Sequence, residues 1–285
     1  MRIVVTGGSG FLGSRTVAAF AAAGHHVVSV DTTPPSEQTI DWRVADLRRR
    51  EAPYEFLRGA EVLVHLANHS NARKADAQTV LAENTAMNVN VFQAASELGV
   101  RRVLFASSIQ AMSDGPRPPG ETYPPPGRRQ LPALPADGRT PARAGNAYGQ
   151  SKIFGELLLA DLSRLAGLET VAIRFPYITP DPRRDLRWRK PDSPHSGAEF
   201  HAWLWLEDAA RLLIAAAEAP ALPGFRIYLP TGPLPPDWPD AETLALTHLP
   251  DAPRREPGAR LAALIDLSAL EHDLAWSPTP WDRLP

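Results

Sequence analysis

Tyr148 and Lys152 stand four apart in the stretch YGQSK, with only small or polar residues between them. On a helix that spacing places both side chains on one face, one turn apart. A free phenol titrates near pH 10 (pKa about 10) and is a poor base at neutral pH. An ammonium beside it stabilises the phenolate, so the pair can take a proton from a substrate hydroxyl or return one to a carbonyl. The same pattern also arises by chance at an ordinary helix start, and the rest of the chain decides between the two.

A second constellation lies at the N-terminus. TGGSGFLG places Gly7, Gly10 and Gly13 three apart, and Gly8, Gly10 and Gly13 also fit G-x-G-x-x-G. A β-branched run, Ile3 to Val5, precedes it and an alanine-rich segment of helical period follows. In that setting the glycines serve a tight turn, a close backbone approach to a pyrophosphate, and helix-on-strand packing. The phosphates would sit on the free N–H groups at the start of the helix. The next strand, HVVSVD, ends in Asp31, eighteen residues past Gly13. A carboxylate there accepts from both ribose hydroxyls and repels a 2′-phosphate, which favours NAD; the other reading is a surface turn aspartate. Arg15 and Arg43 could compensate a phosphate and keep NADP open. Asp46, in ADL, is either an adenine contact or a turn residue.

These residues need a frame to hold them. Strand, helix and strand follow one another in the first thirty residues, which requires a right-handed parallel crossover. Gly24 closes the first helix as a C′ glycine. EVLVHLA (61–67) reads as a buried strand, Asp76 to Leu98 as a long helix, RRVLFASS as a strand, Tyr148 to Ala166 as a helix and LETVAIRF as a strand. This alternation predicts an α/β fold with a doubly wound parallel Rossmann sheet. After Arg174 the breakers multiply. WLEDAARLLIAAAEAP reads as an apolar helix with Glu207 and Asp208 at its favourable end. The expected division is residues 1–175 for dinucleotide binding and 176–285 for a smaller C-terminal substrate-binding lobe.

Composition removes several classes. The chain has 285 residues, 44% hydrophobic and 22% charged, with a formal net charge of −2. That balance gives no basic field for nucleic acid or an anionic membrane. The absence of cysteine rules out disulfides and thiolate chemistry and fits a reducing cytoplasm. No apolar run reaches the roughly 18 residues a bilayer span needs, and MRIVVTGG enters a strand with no signal peptide. His195 and His201 have no further ligands at metal spacing, so no metal site is expected. Prolines number 30 and gather in 116–141 and after Pro176, as loop material.

The motifs together resemble those of an extended short-chain dehydrogenase/reductase of the NAD-dependent epimerase/dehydratase family, over nearly the full length. TGGSGFLG matches its first fingerprint and VLVHLAN its fourth-strand motif. ENTAMNVNVFQAA resembles its asparagine-bearing helix, with Met87 and Asn88 in place of Gly and Thr. LFASSIQAM resembles its serine strand, YGQSKIFGE its active-site helix, AWLWLEDAARLL its W-x-x-V-D-D-x-A segment and IDLSALEHDLAWSP its C-terminal motif. The resemblance implies Tyr148, Lys152 and Ser108 as the catalytic set, with Ser107 turned into the fold. It implies Gly7, Gly10, Phe11, Leu12, Gly13, Asp31, Asp46, Leu47, Leu66, Ala67, Asn84, Tyr148 and Lys152 around the cofactor, with Asn84 helping to hold the lysine.

The implied activity is hydride transfer on a sugar or nucleotide-sugar. A sugar or hexuronate 1-dehydrogenase and a non-catalytic dinucleotide sensor or scaffold are the alternatives. RFPYITP lacks the asparagine that nucleotide-sugar enzymes carry after the sixth strand. Ile109 and Gln110 stand where the hexuronate enzymes show Asn-His. The stretch from Ser108 to Tyr148 is long, with a proline-rich insertion near the site mouth that suits a lid or tolerated length. Arg183, Arg184, Arg187, Arg189 and Lys190 suit a clamp on an anionic substrate, or a solvated loop paired with Asp181, Asp185 and Asp192. Homodimerisation through the two long helices is expected by the same resemblance.

Overall fold

Buried β-branched runs build the centre of a parallel sheet. In the computed structural model, which describes residues 1–35, 40–112, 133–189, 191 and 200–285, the elements alternate as the pattern requires. They run β1 (Arg2–Thr6), α1 (Phe11–Ala22), β2 (His26–Asp31), β3 (Asp41–Val44), α2 (Ala52–Leu57), β4 (Val62–His65) and α3 (Ala77–Glu97). Next come β5 (Arg102–Ser108), α4 (Ala147–Ala166) and β6 (Glu169–Phe175). Beyond β6 lie β7 (Tyr177–Thr179), the one-turn α5 (Pro182–Asp185), β8 (Trp203–Trp205), α6 (Leu206–Glu218), β9 (Phe225–Tyr228), α7 (Ala241–His248) and α8 (Ser268–Leu274). The sheet has seven strands in the order β3-β2-β1-β4-β5-β6-β9, with every pairing parallel. The order reverses direction between β1 and β4, so a crevice opens there at the carboxyl ends of the strands.

The two faces follow the alternation of side chains along each strand. Ile3, Val5, Val62 and Val64 face one way and pack with Val17 and Phe20 of α1 and Leu212 and Leu213 of α6. Val4, Leu63, Val103 and Phe105 face the other way, against Val91, Phe92 and Ala95 of α3 and Leu159 of α4. Both long helices on this second face begin at residues that supply a cap. Asp76 accepts from Thr79 N at 3.0 Å, and Asn146 accepts from Gly149 N at 2.8 Å. Gly167 ends α4 with φ at 67°, in the left-handed region that glycine enters freely.

The division expected after Phe175 does not follow the sheet. α6 packs on the main core, and β9 adds to β6 as the seventh strand, so residues 206–228 return to the first unit. The smaller lobe has its own apolar cluster, which includes Ile109 and Met112, Leu134 and Ala136, Phe200, and Leu229 to Ile265. It therefore draws on chain from both sides of the expected boundary. A short parallel pair, β7 with β8, lies between the two units in sequence.

One buried arginine ties β5 to α6. Arg102 Nη1 donates to the carbonyls of Ala216, Ala217 and Ala219 at 2.8, 3.0 and 2.8 Å. Its Nε donates to Glu169 at 2.7 Å. The side chain thus closes the C-terminal end of α6, where the helix leaves carbonyls unpaired. Arg102→Ala should lower stability by about 3–5 kcal/mol, because it strands both Glu169 and those carbonyls. Denaturant unfolding of the two proteins measures the difference.

Candidate active site

The glycine turn is built by crowding. Gly7 takes φ at 73°, and a Cβ on it would lie 2.7 Å from the backbone nitrogen of Ala67. A Cβ on Gly13 would run into the carbonyl oxygen of Gly7, and one on Gly8 into Ser29 Oγ. Gly10 caps α1 without a side-chain acceptor, so the first-turn N–H groups remain available to an anion. These N–H groups and the glycine surface form one wall of a cleft of about 830 Å³. Gly7, Gly10, Phe11, Leu12 and Gly13 line it on the α1 side, and Leu47, Leu66 and Ala67 supply apolar wall. A dinucleotide fits this wall: pyrophosphate on bare glycine backbone, adenine against the apolar side chains.

Asp31 lines the same cleft at the end of β2. Its Oδ2 accepts from Ser9 N at 3.0 Å and its Oδ1 from Thr32 N at 2.7 Å, which leaves lone pairs for a ribose. Arg15 is paired with Glu207, while Arg43 donates to the Trp42 carbonyl at 2.7 Å and sits near Asp41. Neither arginine lines the cleft. Asp46 does, but its carboxylate is engaged by Arg48 through bonds of 2.7 to 3.1 Å. That guanidinium holds the Asp46 carboxyl below the usual range.

At the other end, β5 and α4 bring Ser108, Tyr148 and Lys152 to the cleft. Tyr148 and Lys152 share a face of α4, with Lys152 Nζ 5.4 Å from the Tyr148 ring centre and 4.8 Å from that of Phe105. Ser108 Oγ accepts from Gln110 N at 3.1 Å. Ser107 turns the other way and donates to Glu156 at 2.6 Å. Glu156 is also gripped by Arg174 through bonds of 2.9 and 2.8 Å, and Arg174 reaches the Thr140 carbonyl at 2.6 Å. This buried set fixes the end of β5 against α4.

Asn84, expected to help hold the lysine, bonds to the loop after β4 and to Ser151. It lies outside the cleft wall, accepting from His69 N at 2.7 Å and donating to Ser151 Oγ at 3.0 Å. The residue that holds the ammonium is Asn68, whose Oδ1 accepts from Lys152 Nζ at 2.7 Å. Asn68 was legible in kind, as a polar residue directly after a buried strand at the sheet's carboxyl edge. Its reach to Lys152 was not.

The basic run, read as an anion clamp or a solvated paired loop, is described only in part. Arg184 pairs with Asp185 at 2.9 Å, and Arg189 lies over the Tyr177 ring at 4.2 Å. Arg183 and Arg187 line a separate cavity of about 240 Å³ with Trp238 and Trp281. No described residue of the run lines the main cleft. Lys190, Asp192, His195 and most of the proline-rich insertion (113–132) lie outside the described residues. His201 is buried beside the rings of His248 and Trp238, at 4.7 and 6.0 Å. Among the described residues no group of three or more metal-ligating side chains gathers, and no helix is long and apolar enough to cross a membrane.

The family model for the NAD dependent epimerase/dehydratase family matches residues 3–179. The chain belongs to this family. It is therefore an NAD-dependent enzyme of the extended short-chain dehydrogenase/reductase type. An L-arabinose 1-dehydrogenase (NAD(P)+) of Haloferax volcanii is 31% identical over 216 residues, covering 72% of this chain and 77% of that protein. A uronate dehydrogenase of Pseudomonas syringae pv. tomato is 27% identical over 222 residues, covering 77% and 70%. Among solved structures, a UDP-glucose 4-epimerase from Brucella ovis in complex with NAD superposes with a TM-score of 0.69 at 18% identity, covering 98% and 93%.

Burial sets the electrostatics of the cleft floor. Loss of water pulls the Lys152 ammonium down to about 7, against an upward pull from Glu156. Burial, then the Lys152 charge, push His65 down to about 3, so that ring is neutral. Because the folded lysine titrates below its unfolded value, the unfolded state binds more protons between about pH 7 and pH 10.5. Stability therefore rises with pH across that window, and the penalty of burying the charge is fully present below it. Lys152→Met should gain stability over the parent at pH 6, with the gain shrinking toward pH 10. Melting curves of both proteins across that range test it.

Proposed function

We propose that the protein is an NAD-linked sugar dehydrogenase that oxidises a hydroxyl-bearing carbon of a free sugar. The observation that carries this is the meeting of Tyr148, Lys152 and Ser108 with the glycine-loop crevice in one cleft. When bound, the dinucleotide supplies the hydride acceptor. Tyr148 takes the hydroxyl proton, Lys152 stabilises the phenolate, and Ser108 orients the sugar oxygen. Ser107 and Glu156 keep the serine strand in place. Oxidation at C1 of a ring sugar gives a lactone, with the proton on Tyr148 and the hydride on the cofactor. The smaller lobe, with Gln110 and Tyr177 at the cleft, serves as the sugar-binding part.

A free sugar is favoured over a nucleotide-sugar because RFPYITP lacks the asparagine that, by the family resemblance, nucleotide-sugar enzymes carry after the sixth strand. Lys74 is among the cations that line the cleft and suits a single carboxylate, so an anionic sugar acid remains within the reading. Relatives covering 72% and 77% of this chain are an L-arabinose 1-dehydrogenase and a uronate dehydrogenase. A second reading, epimerase or dehydratase action with the hydride returned to the substrate, is supported by epimerase structures matching 98% of the chain.

A panel of aldoses, uronates and UDP-sugars, assayed with NAD⁺ and NADP⁺ for both reduced cofactor and product identity, separates the readings. We expect reduced cofactor to accumulate with a free sugar, NAD⁺ to be preferred, and Tyr148→Phe to lower turnover by about 10²–10⁴-fold with cofactor affinity kept. Epimerised or dehydrated UDP-sugar without cofactor release would install the second reading. Equal loss of turnover and cofactor binding in Tyr148→Phe would make the tyrosine structural.

We further infer a homodimer and a cytoplasmic setting. Phe154 and Leu157 on α4 are 44% and 60% exposed, and Leu81 on α3 is 37% exposed, an apolar face on the two adjacent long helices. Covering it by a second copy is the symmetric solution. Light scattering at micromolar concentration should give twice the chain mass of 31.0 kDa, and Leu157→Glu should give the monomer.

A further inference from the structure

Lys152 is a buried ammonium with three donors to satisfy. Two aromatic rings, Phe105 and Tyr148, face it, and its hydrogen-bond acceptor is the neutral oxygen of Asn68 at 2.7 Å. The other atom of that amide is also committed. Asn68 Nδ2 donates to Asn88 Oδ1 at 3.1 Å and to the Ala67 carbonyl. Turned over, the amide would set an NH₂ against the ammonium and an oxygen against the Asn88 oxygen. Asn88 is fixed in its turn, since its nitrogen faces the Ser151 carbonyl at 3.4 Å.

The chain continues inward. His65 Nε2 lies 3.0 Å from Asn88 Oδ1, so it carries the hydrogen and donates. His65 Nδ1, 2.7 Å from Thr6 Oγ1, then accepts from that hydroxyl. Each donor group beyond Lys152 has an acceptor, and every member beyond Lys152 is neutral. It holds geometry and passes no proton. Thr6 is the residue before Gly7, so the series runs from the glycine turn to the ammonium. The titratable groups around Lys152 are Tyr148 and Glu156 on its own helix and His65 on β4. Glu156 is closed off by Arg174 and Ser107, α3 presents the neutral Asn88, and β5 presents Phe105.

We infer that Asn68 is the positioning residue of the site: it sets where the Lys152 ammonium stands beside Tyr148, and its neutral oxygen leaves that ammonium free to change its charge. A carboxylate at the same place would lock the charge in, and a methyl group would withdraw the acceptor that Asn68 supplies. The inference rests on the proton-transfer reading of Tyr148 and Lys152, but its test does not.

The chain contains three lysines, Lys74, Lys152 and Lys190, so side-chain ammonium signals of ¹³C,¹⁵N-labelled protein are few, and Lys152→Met identifies the one of interest. Its pH titration should move up by about 1–3 units in Asn68→Asp, the range for an opposite charge in contact. It should move down in Asn68→Ala. Lys74, which is exposed and not among the hydrogen-bond partners of the amide, should stay put in both. Turnover against pH should shift in the same two directions, with KM for the sugar changed less than kcat. An unmoved Lys152 titration in folded variants overturns the inference, and so does a Lys152 side chain that relaxes as a mobile group in the unsubstituted protein, a measurement that needs no variant. If Lys152 titrates as stated while Tyr148→Phe keeps full turnover, the positioning stands and the catalytic reading falls.

Discussion

The site depends on keeping one positive charge out of water. An ammonium loses hydration on burial and gives up its proton unless the protein returns part of that stabilisation. Here the return is deliberately small: one amide oxygen, two ring faces and a carboxylate one turn away that is already committed to Arg174. The balance leaves Lys152 near neutrality in its titration, at about 7. A lysine paired directly with a carboxylate would stay charged across the working range. A lysine with no acceptor at all would be neutral and of no use to a phenolate.

That balance requires two separate polar systems one turn apart along α4. Glu156 and Arg174 form a closed, buried ion pair that also fastens Ser107 and the Thr140 carbonyl. Such a pair contributes little net stability for its desolvation, but it fixes the register of β5 against the helix. Asn68, Asn88, His65 and Thr6 form the second system, without a charge. Burial keeps His65 unprotonated, and a protonated His65 would place a second cation beside the first. One system is built of charged groups and the other is not, because one must anchor the serine strand and the other must not hold the lysine's proton.

Much of this was legible in the sequence, for reasons that can be stated residue by residue. Gly7, Gly10 and Gly13 announce themselves because no other residue survives where Gly7 touches Ala67 and Gly13 touches Gly7. Asp31 and the Tyr148–Lys152 pair follow from element ends and helical spacing. β3, with the sequence DWRV, escaped because it is an exposed edge strand with no apolar run. β9 escaped because FRIY is short and half-buried, and its return to the sheet shifted the domain division. Asn68 went unread because it and Asn84 are both polar residues near the same loop, and only side-chain reach tells which of them meets Lys152. The basic run could not be placed at all from spacing, since a segment with little regular structure has no period to say which way each arginine points.

The crowding at the glycine turn and the setting of the lysine are one feature rather than two. Gly7 is driven against Leu66 and Ala67 because β1 and β4 are neighbours at the point where the strand order reverses. The residue after Ala67 is therefore carried over the lip of the crevice, and that residue is Asn68. Thr6, directly before Gly7, reaches back under the same lip to His65. The backbone contact that admits the dinucleotide thus fixes the start of the polar series and the amide at its end. Loosening the turn by a bulkier residue would displace the Asn68 oxygen as well as the phosphate seat. Cofactor binding and the proton equilibrium of Lys152 are for that reason properties of a single stretch of backbone, residues 6–7 packed on 65–68.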